Sequence, residues 1–540
     1  MTISVLPAEV DAVVIGGGPN GLVSAALLAD SGWSVLLLEA QQELGGAVKS
    51  IHAVGWTMDR FSSSYPLAVA SPVLRGLDLE SCGLRWARSD VSVAHPLGPD
   101  DPDGAMIHRE PATTAAHLAE ESAADGEVWL ELCAQYARIS ERFLEAMLTA
   151  WPPLNAARKL TAQLGGTAEL MRFARFLALP THRMGIELFA GRRGRALLAG
   201  NAMHADAPPD APVSGLMGWL MAMLAQDVGF PVPIGGAAML TAALAARARS
   251  SGADLRVDEP VAAIGLSGGT ARTVMTSSGQ TVRASKAIVA DVSAAALYQE
   301  LLSSAQLPAG LRADLHNLEW DYPTVKVNYR LAEHPRWTAR HANGAGVVHA
   351  GADSDEIVHW SADLGTGRIP ERPFALIGQT SSVDATRSPP GTEAMWAYSH
   401  LPRGVHDDAS AHLLAERMGD MIAAHAPGFD SLILDRDVQT PSSLSAENAN
   451  LVNGAVNGGT SQLFQQLVFR PVPGSGGART VFENLYLGSA AIHPGGGVHG
   501  ACGALAAKAA LSDHGHLGAA RRRAASGFFD RLYRARPSAR

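Results

Sequence analysis

The sequence predicts an α/β protein: a Rossmann-type dinucleotide-binding domain built from discontinuous segments, beside a second domain with a mixed sheet and a helical insertion. Three observations carry that prediction. A strand, a glycine loop, a helix and a second strand fill residues 11–39; strand-like alternation resumes only after a long helical stretch; and a second glycine-rich run lies near the end, at 493–503.

Taken in order, residues 11–15 are a short apolar run, 22–30 show helical periodicity, and 34–38 form a second apolar run ending at Glu39. Together they make a βαβ unit. From 113 to 151 apolar residues such as Trp129, Leu132, Tyr136 and Phe143 recur at helical spacing, and an Arg-bearing helical region continues to about Gln226. Gly235-Gly236 opens a helix at 239–249, followed by strands through 274 and over 282–289 that rejoin the first sheet. Strands at 324–331 and 374–378 mark the sheet of the second domain. A last strand at 484–487 leads through Gly488 into the glycine run and a small-residue helix reaching about Leu511.

The 540 residues amount to several units at roughly 100–200 residues per domain. The expected division gives residues 1–110, 227–310 and 471–515 to the dinucleotide-binding domain. A substrate domain takes 111–226 as its helical part and 311–470 as its sheet, and 516–540 form a basic tail.

Composition removes several classes. The formal charge is -9, with no long basic block in the body, so the electrostatic footprint of a nucleic-acid partner is missing. Cys82, Cys133 and Cys502 are odd in number and far apart; they suit neither a disulfide scaffold nor a metal site and fit a reducing, cytoplasmic setting. Residues 1–10 lack the charged start and cleavage site of a signal peptide. The most apolar stretch, 213–224, is about 12 residues against the ~20 of a spanning helix.

The chemistry begins at Gly16-Gly17-Gly18-Pro19-Asn20-Gly21, a G-x-G-x-x-G between strand and helix. Gly16 makes the tight turn, Gly18 lets the backbone approach a pyrophosphate, and Gly21 allows close helix packing. The helix N-terminus then offers free N–H groups and a positive dipole end to phosphates. Glu39 lies 18 residues after Gly21, at the end of the second strand, where a carboxylate accepts ribose hydroxyls; the pair Gly45-Gly46 follows soon after and would cross the same pyrophosphate.

With residues 12–40 and 44–47, Val383-Asp384-Ala385-Thr386, the run Met395 to His400, Gln465-Gln466-Leu467, Arg470-Pro471 and the block 484–503, the chain resembles the phytoene desaturase-like FAD-dependent oxidoreductases, whose fold is shared with the amine oxidases. The most specific part is Leu485-Tyr486-Leu487-Gly488 followed by His493-Pro494-Gly495-Gly496-Gly497-Val498-His499-Gly500. Within that family it is similar to the pyridine nucleotide-disulphide oxidoreductase domain-containing branch, where GGA replaces the GGR of many carotenoid desaturases; Ala47 stands at that position. The resemblance implies FAD, with contacts from Gly16, Gly18, Pro19, Asn20, Gly21, Glu39, Ala40, Gly45, Gly46, Val261, Gly488, Gly496, Gly497 and Val498. A helix beginning near Val498 would aim its positive end at the flavin and stabilise negative charge on it when reduced.

Catalytic candidates are few, because flavin supplies the hydride chemistry and the protein supplies position and electrostatics. Lys326 is one of five lysines and sits on a strand of the substrate domain. Some amine oxidases of this fold place such a lysine near the flavin through a water; an outward-facing strand lysine is the alternative. His499 beside the glycine turn could relay the proton left behind by a departing hydride, and no metal ligands are expected. The tail from Arg521 to Arg540 carries seven Arg and one Asp among Phe528, Phe529, Leu532 and Tyr533; it suits either a solvated tail or peripheral contact with an anionic membrane.

The expected function is therefore an FAD-dependent oxidoreductase, desaturase or oxidase, acting on a hydrophobic small molecule, with oxygen or a quinone accepting the electrons. A redox-neutral flavin isomerase of polyene-like substrates and a non-catalytic lipid or prenyl carrier of the same fold are the alternatives.

Overall fold

Two seven-stranded sheets organise the chain in a computed structural model that describes residues 5–533. The first sheet runs in the order 261–267, 270–276, 281–290, 9–15, 35–38, 254–256. Its centre, Glu9–Ile15, is parallel to both Val35–Leu38 and Thr281–Ala290. Thr281–Ala290 changes partner along its length: its start pairs antiparallel with Thr270–Thr276, and its end pairs parallel with Leu485–Leu487. Strands buried on both faces read as continuous apolar runs, and Val35–Leu38 is buried at every position.

The second sheet has the order 433–439, 324–331, 393–400, 375–379, 347–350, 91–95, 105–108. It is antiparallel except where Val347–Ala350 meets Val91–His95. Residues 91–95 and 105–108 lie within the segment 1–110 expected for the dinucleotide-binding domain, but form strands that pair into the second sheet. Their alternation is equally satisfied by either sheet, so only the tertiary pairing assigns them.

The helical insertion packs on one face of this sheet. Trp129 and Trp219 are buried at its centre with Tyr136, Phe143 and Phe173. The amide of Gln226 fastens the layer to the 105–108 strand: its Oε1 accepts from Trp129 Nε1 at 2.9 Å, and its Nε2 donates to the His108 carbonyl at 2.7 Å. Gly518–Tyr533 is a helix rather than a free tail, because Phe529 and Tyr533 are buried against the first domain and the Tyr533 hydroxyl donates to the Pro473 carbonyl at 2.9 Å. Phe528 stays exposed, and residues 534–540 of the expected basic tail lie outside the described residues. No helix among the described residues is long and apolar enough to cross a membrane.

A fully buried ion pair ties the two-stranded hairpin 50–59 to the turn 385–387 that precedes the strand Glu393–His400 of the second sheet. Arg387 Nη2 lies 2.7 Å from Asp59 Oδ2, both side chains without solvent access, and Arg387 Nε donates to the Thr57 carbonyl at 3.0 Å. The other oxygen of Asp59 accepts from the Ala237 N–H at 2.8 Å and from the Ser50 hydroxyl at 3.1 Å. Breaking such a pair from one side leaves an uncompensated buried charge. Arg387→Met should therefore lower unfolding stability by about 3–5 kcal/mol, while Asp59→Asn with Arg387→Gln should recover part of the loss. Denaturant titration of the three proteins checks this, and equal stability of the single and double variants would refute it.

Candidate flavin site

The parallel strands end on one edge: Ile15 pairs with Leu38 and Ala290, and Ala290 pairs with Leu487. Ligands of open α/β sheets bind beyond such carboxyl ends. The chain leaves Ile15 through Gly16, whose φ of +98° suits only glycine, and enters the helix Pro19–Asp30 with Pro19 in its first turn and no acidic residue there. The close approaches explain the spacing. A Cβ on Gly21 would lie 2.1 Å from the Gly16 carbonyl oxygen, and one on Gly18 2.8 Å from Asp291 Oδ2.

The second glycine pair closes over the first. Gly45 N–H donates to the Gly17 carbonyl at 2.9 Å, and a Cβ on Gly46 would sit 3.1 Å from Gly18 Cα. Glu39 is buried at the end of its strand, its two oxygens accepting from Gly17 N–H at 2.6 Å and Gln41 N–H at 2.9 Å. Ala40 is exposed beside it. Glu259 N–H donates to the Glu39 carbonyl at 2.9 Å, which brings Val261 within two residues of that acid. Gly488, whose N–H donates to the Ala290 carbonyl at 2.8 Å, closes the same edge. Asn20 faces elsewhere: its side-chain oxygen accepts from Gly503 N–H at 3.3 Å, between the first helix and the helix Ala501–Asp513.

Asp291 is the member of this site that the sequence reading did not single out. It is buried, its Oδ2 accepts from Gly21 N–H at 2.7 Å, and burial, reinforced by the charge of Glu39, raises its pKa to about 7. A carboxyl held partly protonated can seal the glycine loop without setting a full negative charge against a bound pyrophosphate.

The second cluster is the glycine turn before the C-terminal helix. That helix begins at Ala501, not near Val498, because Gly495, Gly497 and Gly500 take φ of +102°, +101° and +68°, which a helix cannot accommodate. Gly496 is pressed against Asn457: a Cβ there would be 2.5 Å from Asn457 Oδ1. Val498 is half-buried beside them. The His499 ring is buried, its Nδ1 accepts from Ala501 N–H at 3.0 Å, and Nε2 has no partner. Burial drops its pKa to about 4, so the ring is neutral. Cys502 is a buried thiol raised by burial to about 12.

Lys326 points inward, against the outward alternative. It is buried, and its Nζ donates to the carbonyls of Asp59 at 2.6 Å and Phe61 at 2.8 Å, in the segment that runs on from Gly45-Gly46. The Trp396 ring lies 5.9 Å away. Desolvation lowers its pKa to about 7, opposed by the nearby charge of Asp59. The sheet thus turns the Lys326 amino group toward the segment that continues from the second glycine pair.

A glycine cradle that any Cβ would fill, a helix whose own first turn carries no acidic residue, and an unpaired buried imidazole atom beside the glycine turn fit FAD. The fold and site define an FAD-dependent oxidoreductase. Residues 20–390 match the family described as flavin containing amine oxidoreductase, and the chain belongs to that family. It is 27% identical to pyridine nucleotide-disulfide oxidoreductase domain-containing protein 2 of Mus musculus, covering 94% of each chain. It is 25% identical to the zeta-carotene-forming phytoene desaturase of Myxococcus xanthus, covering 90% of each. Among solved structures, a wild-type putrescine oxidase bound to putrescine matches with a TM-score of 0.58 at 14% identity, over 93% of this chain and 98% of that one.

Two outcomes are expected. Glu39→Ala should lower the FAD retained through gel filtration, read from visible absorbance; unchanged FAD content would remove the ribose role. For Lys326 the folded pKa of about 7 lies below the ordinary value of 10.5, so between the two the unfolded state binds more protons and wild-type stability rises with pH. Any thermal advantage of Lys326→Met at pH 6 should therefore shrink as pH rises from about 7 toward 10. A pH-independent difference would contradict the buried ammonium.

Proposed function

We propose that this enzyme removes hydride from a hydrophobic small molecule, desaturating a C–C bond or oxidising a C–N or C–O bond, and passes the electrons to oxygen or a quinone. Bound FAD supplies the two-electron acceptor; the chain supplies the surface that orients the substrate. The observation that carries the reading is the face of the second sheet nearest the flavin segments. Lys326 lies opposite Tyr398 in register, and Trp396 and Tyr398 stack with ring centroids 6.0 Å apart.

An aromatic wall with one buried donor favours an apolar substrate over a polyamine. Relatives named for phytoene desaturation support a hydrocarbon, and the putrescine oxidase fold supports C–N oxidation on the same frame. A prenyl carrier has no use for the intact glycine cradle around Gly16, Gly18, Gly21 and Gly46.

The test is the visible spectrum of purified protein, then anaerobic mixing with phytoene in detergent micelles and, separately, with putrescine. We expect a yellow protein bleached by the apolar substrate and not by the diamine. Bleaching by putrescine alone would overturn the hydrophobic reading, and rapid recovery of colour in air would select oxygen over a quinone. Lys326→Met should keep its FAD and bleach at least about 10²-fold more slowly, the lower range for loss of a positioned acid or base; an unchanged rate would remove Lys326 from the site.

A further inference from the structure

A second set of ionisable groups is buried on the same face of the sheet, further from Asp59. His400 ends the strand Glu393–His400 and pairs in register with Thr324, as Tyr398 pairs with Lys326. Alternation along a strand sets residues two apart on one face, so Thr324, Lys326, Trp396, Tyr398 and His400 share it.

His400 Nε2 lies 2.7 Å from Asp206 Oδ1, both side chains nearly inaccessible. Asp206 follows the helix Arg192–Ala202 in a left-handed conformation, φ 54°, uncommon for a residue with a Cβ. Its other oxygen accepts from Asn457 Nδ2 at 2.7 Å. Asn457 is the residue pressed against Gly496, so one continuous set of contacts runs from the imidazole to the glycine turn.

The surroundings fix this arrangement. Asp321 accepts from the N–H groups of Val456 at 2.6 Å, Asn457 at 2.8 Å and Gly459 at 3.2 Å. Buried Arg470 donates to the carbonyls of Asn457, Gly459 and Thr460. The ionisable groups facing the ring are Asp206, Asp321, Tyr322 and Tyr398, with Lys326 two residues along the adjacent strand. A buried ion pair adds little net stability over an apolar replacement of similar size, so stability does not account for placing one here. A carboxylate on one ring nitrogen fixes the tautomer and leaves the other nitrogen as a base. The other nitrogen, Nδ1, lies 3.4 Å from the Thr324 hydroxyl, and the ring also hydrogen-bonds the Tyr322 backbone.

We propose that His400 is the proton-exchanging residue of the substrate face, with Asp206 as its positioning residue and the Thr324 hydroxyl as the bridge to substrate. The proposal rests on the flavin oxidoreductase reading. One C–H bond of the substrate breaks and its electron pair leaves as hydride to the flavin. The proton on the neighbouring atom passes to Nδ1 of His400, and the pair it leaves behind forms the new π bond. The imidazolium is stabilised by the Asp206 carboxylate and later releases its proton to solvent. The aspartate charge, opposed by desolvation, raises the His400 pKa above 6.5. The neutral, accepting form therefore grows as pH rises through that raised value.

The experiment needs no substrate: the flavin midpoint potential of the holoenzyme is measured against pH by spectroelectrochemistry for wild type, His400→Gln and Asp206→Asn. With the negative charge of reduced flavin beside the imidazole, as the proposal requires, the wild type should take up two protons per two electrons where His400 titrates. His400→Gln should take up one at pH above 7, and Asp206→Asn, which keeps the ring but removes its partner charge, should move the two-proton region to lower pH. Equal slopes in three flavin-loaded proteins would overturn the proposal while leaving the oxidoreductase reading intact. A wild-type protein that takes up no FAD would overturn both. If His400→Gln does not fold, the shift in Asp206→Asn decides alone. With a substrate that bleaches the wild type, His400→Gln should slow bleaching roughly 10²-fold or more and lose the rise with pH; an unchanged pH profile would also overturn it.

Discussion

A carboxylate and a guanidinium with no access to water, Asp59 and Arg387, are the joint on which both halves of the molecule turn. Their pair fixes the segment 56–61, which is at once the continuation of the glycine loops and the neighbour of the second sheet. One oxygen of Asp59 fixes the start of the helix Ala238–Ser250 through the Ala237 N–H, and its backbone carbonyl receives Lys326. Breaking a desolvated pair from one side leaves an uncompensated buried charge. That pair holds the hairpin that continues from the glycine loops against the turn 385–387 of the second domain.

The protein separates its charges by function. At the phosphate end the groups are backbone N–H donors, a helix N-terminus and a partly protonated Asp291, so negative charge on a ligand is met by dipoles rather than side-chain cations. On the second sheet the buried side chains are paired: Lys326 with two carbonyls, His400 with Asp206, Asp321 with three N–H groups. In a low-dielectric interior each such pair holds its partners in place before any ligand arrives, which is the preorganisation that hydride and proton transfer demand.

The phosphate end was legible because its signal is local. Gly16, Gly18 and Gly21 lie within six residues, and steric exclusion of a Cβ at each is a property of a single loop. Gly45-Gly46 and Glu39 follow at short range, and the structure sets them on that loop as the spacing suggests. The helix after the glycine turn was read three residues early, since apolar and small-residue patterning does not report that Gly495, Gly497 and Gly500 take positive φ. Residues 91–95 and 105–108 fall within the segment 1–110 given to the dinucleotide-binding domain, but pair into the second sheet; the sequence carries no signal that says which sheet a short strand joins. The segment from Arg521 looked like a free basic tail because charge was counted along the chain, while Phe529 and Tyr533 find their burial in elements hundreds of residues earlier.

The sequence by itself determined the α/β class, the dinucleotide loop, its acidic partner and the return of the chain to glycine-rich chemistry at its end, all set by backbone sterics and hydrophobic period within a few tens of residues. Only the tertiary structure decided which ionisable residues act together. Asp59 meets Arg387, and Asp206 meets His400, across long stretches of chain. Such partnerships arise from the cost of burying a charge unpaired, a cost that exists only once the fold has excluded the water.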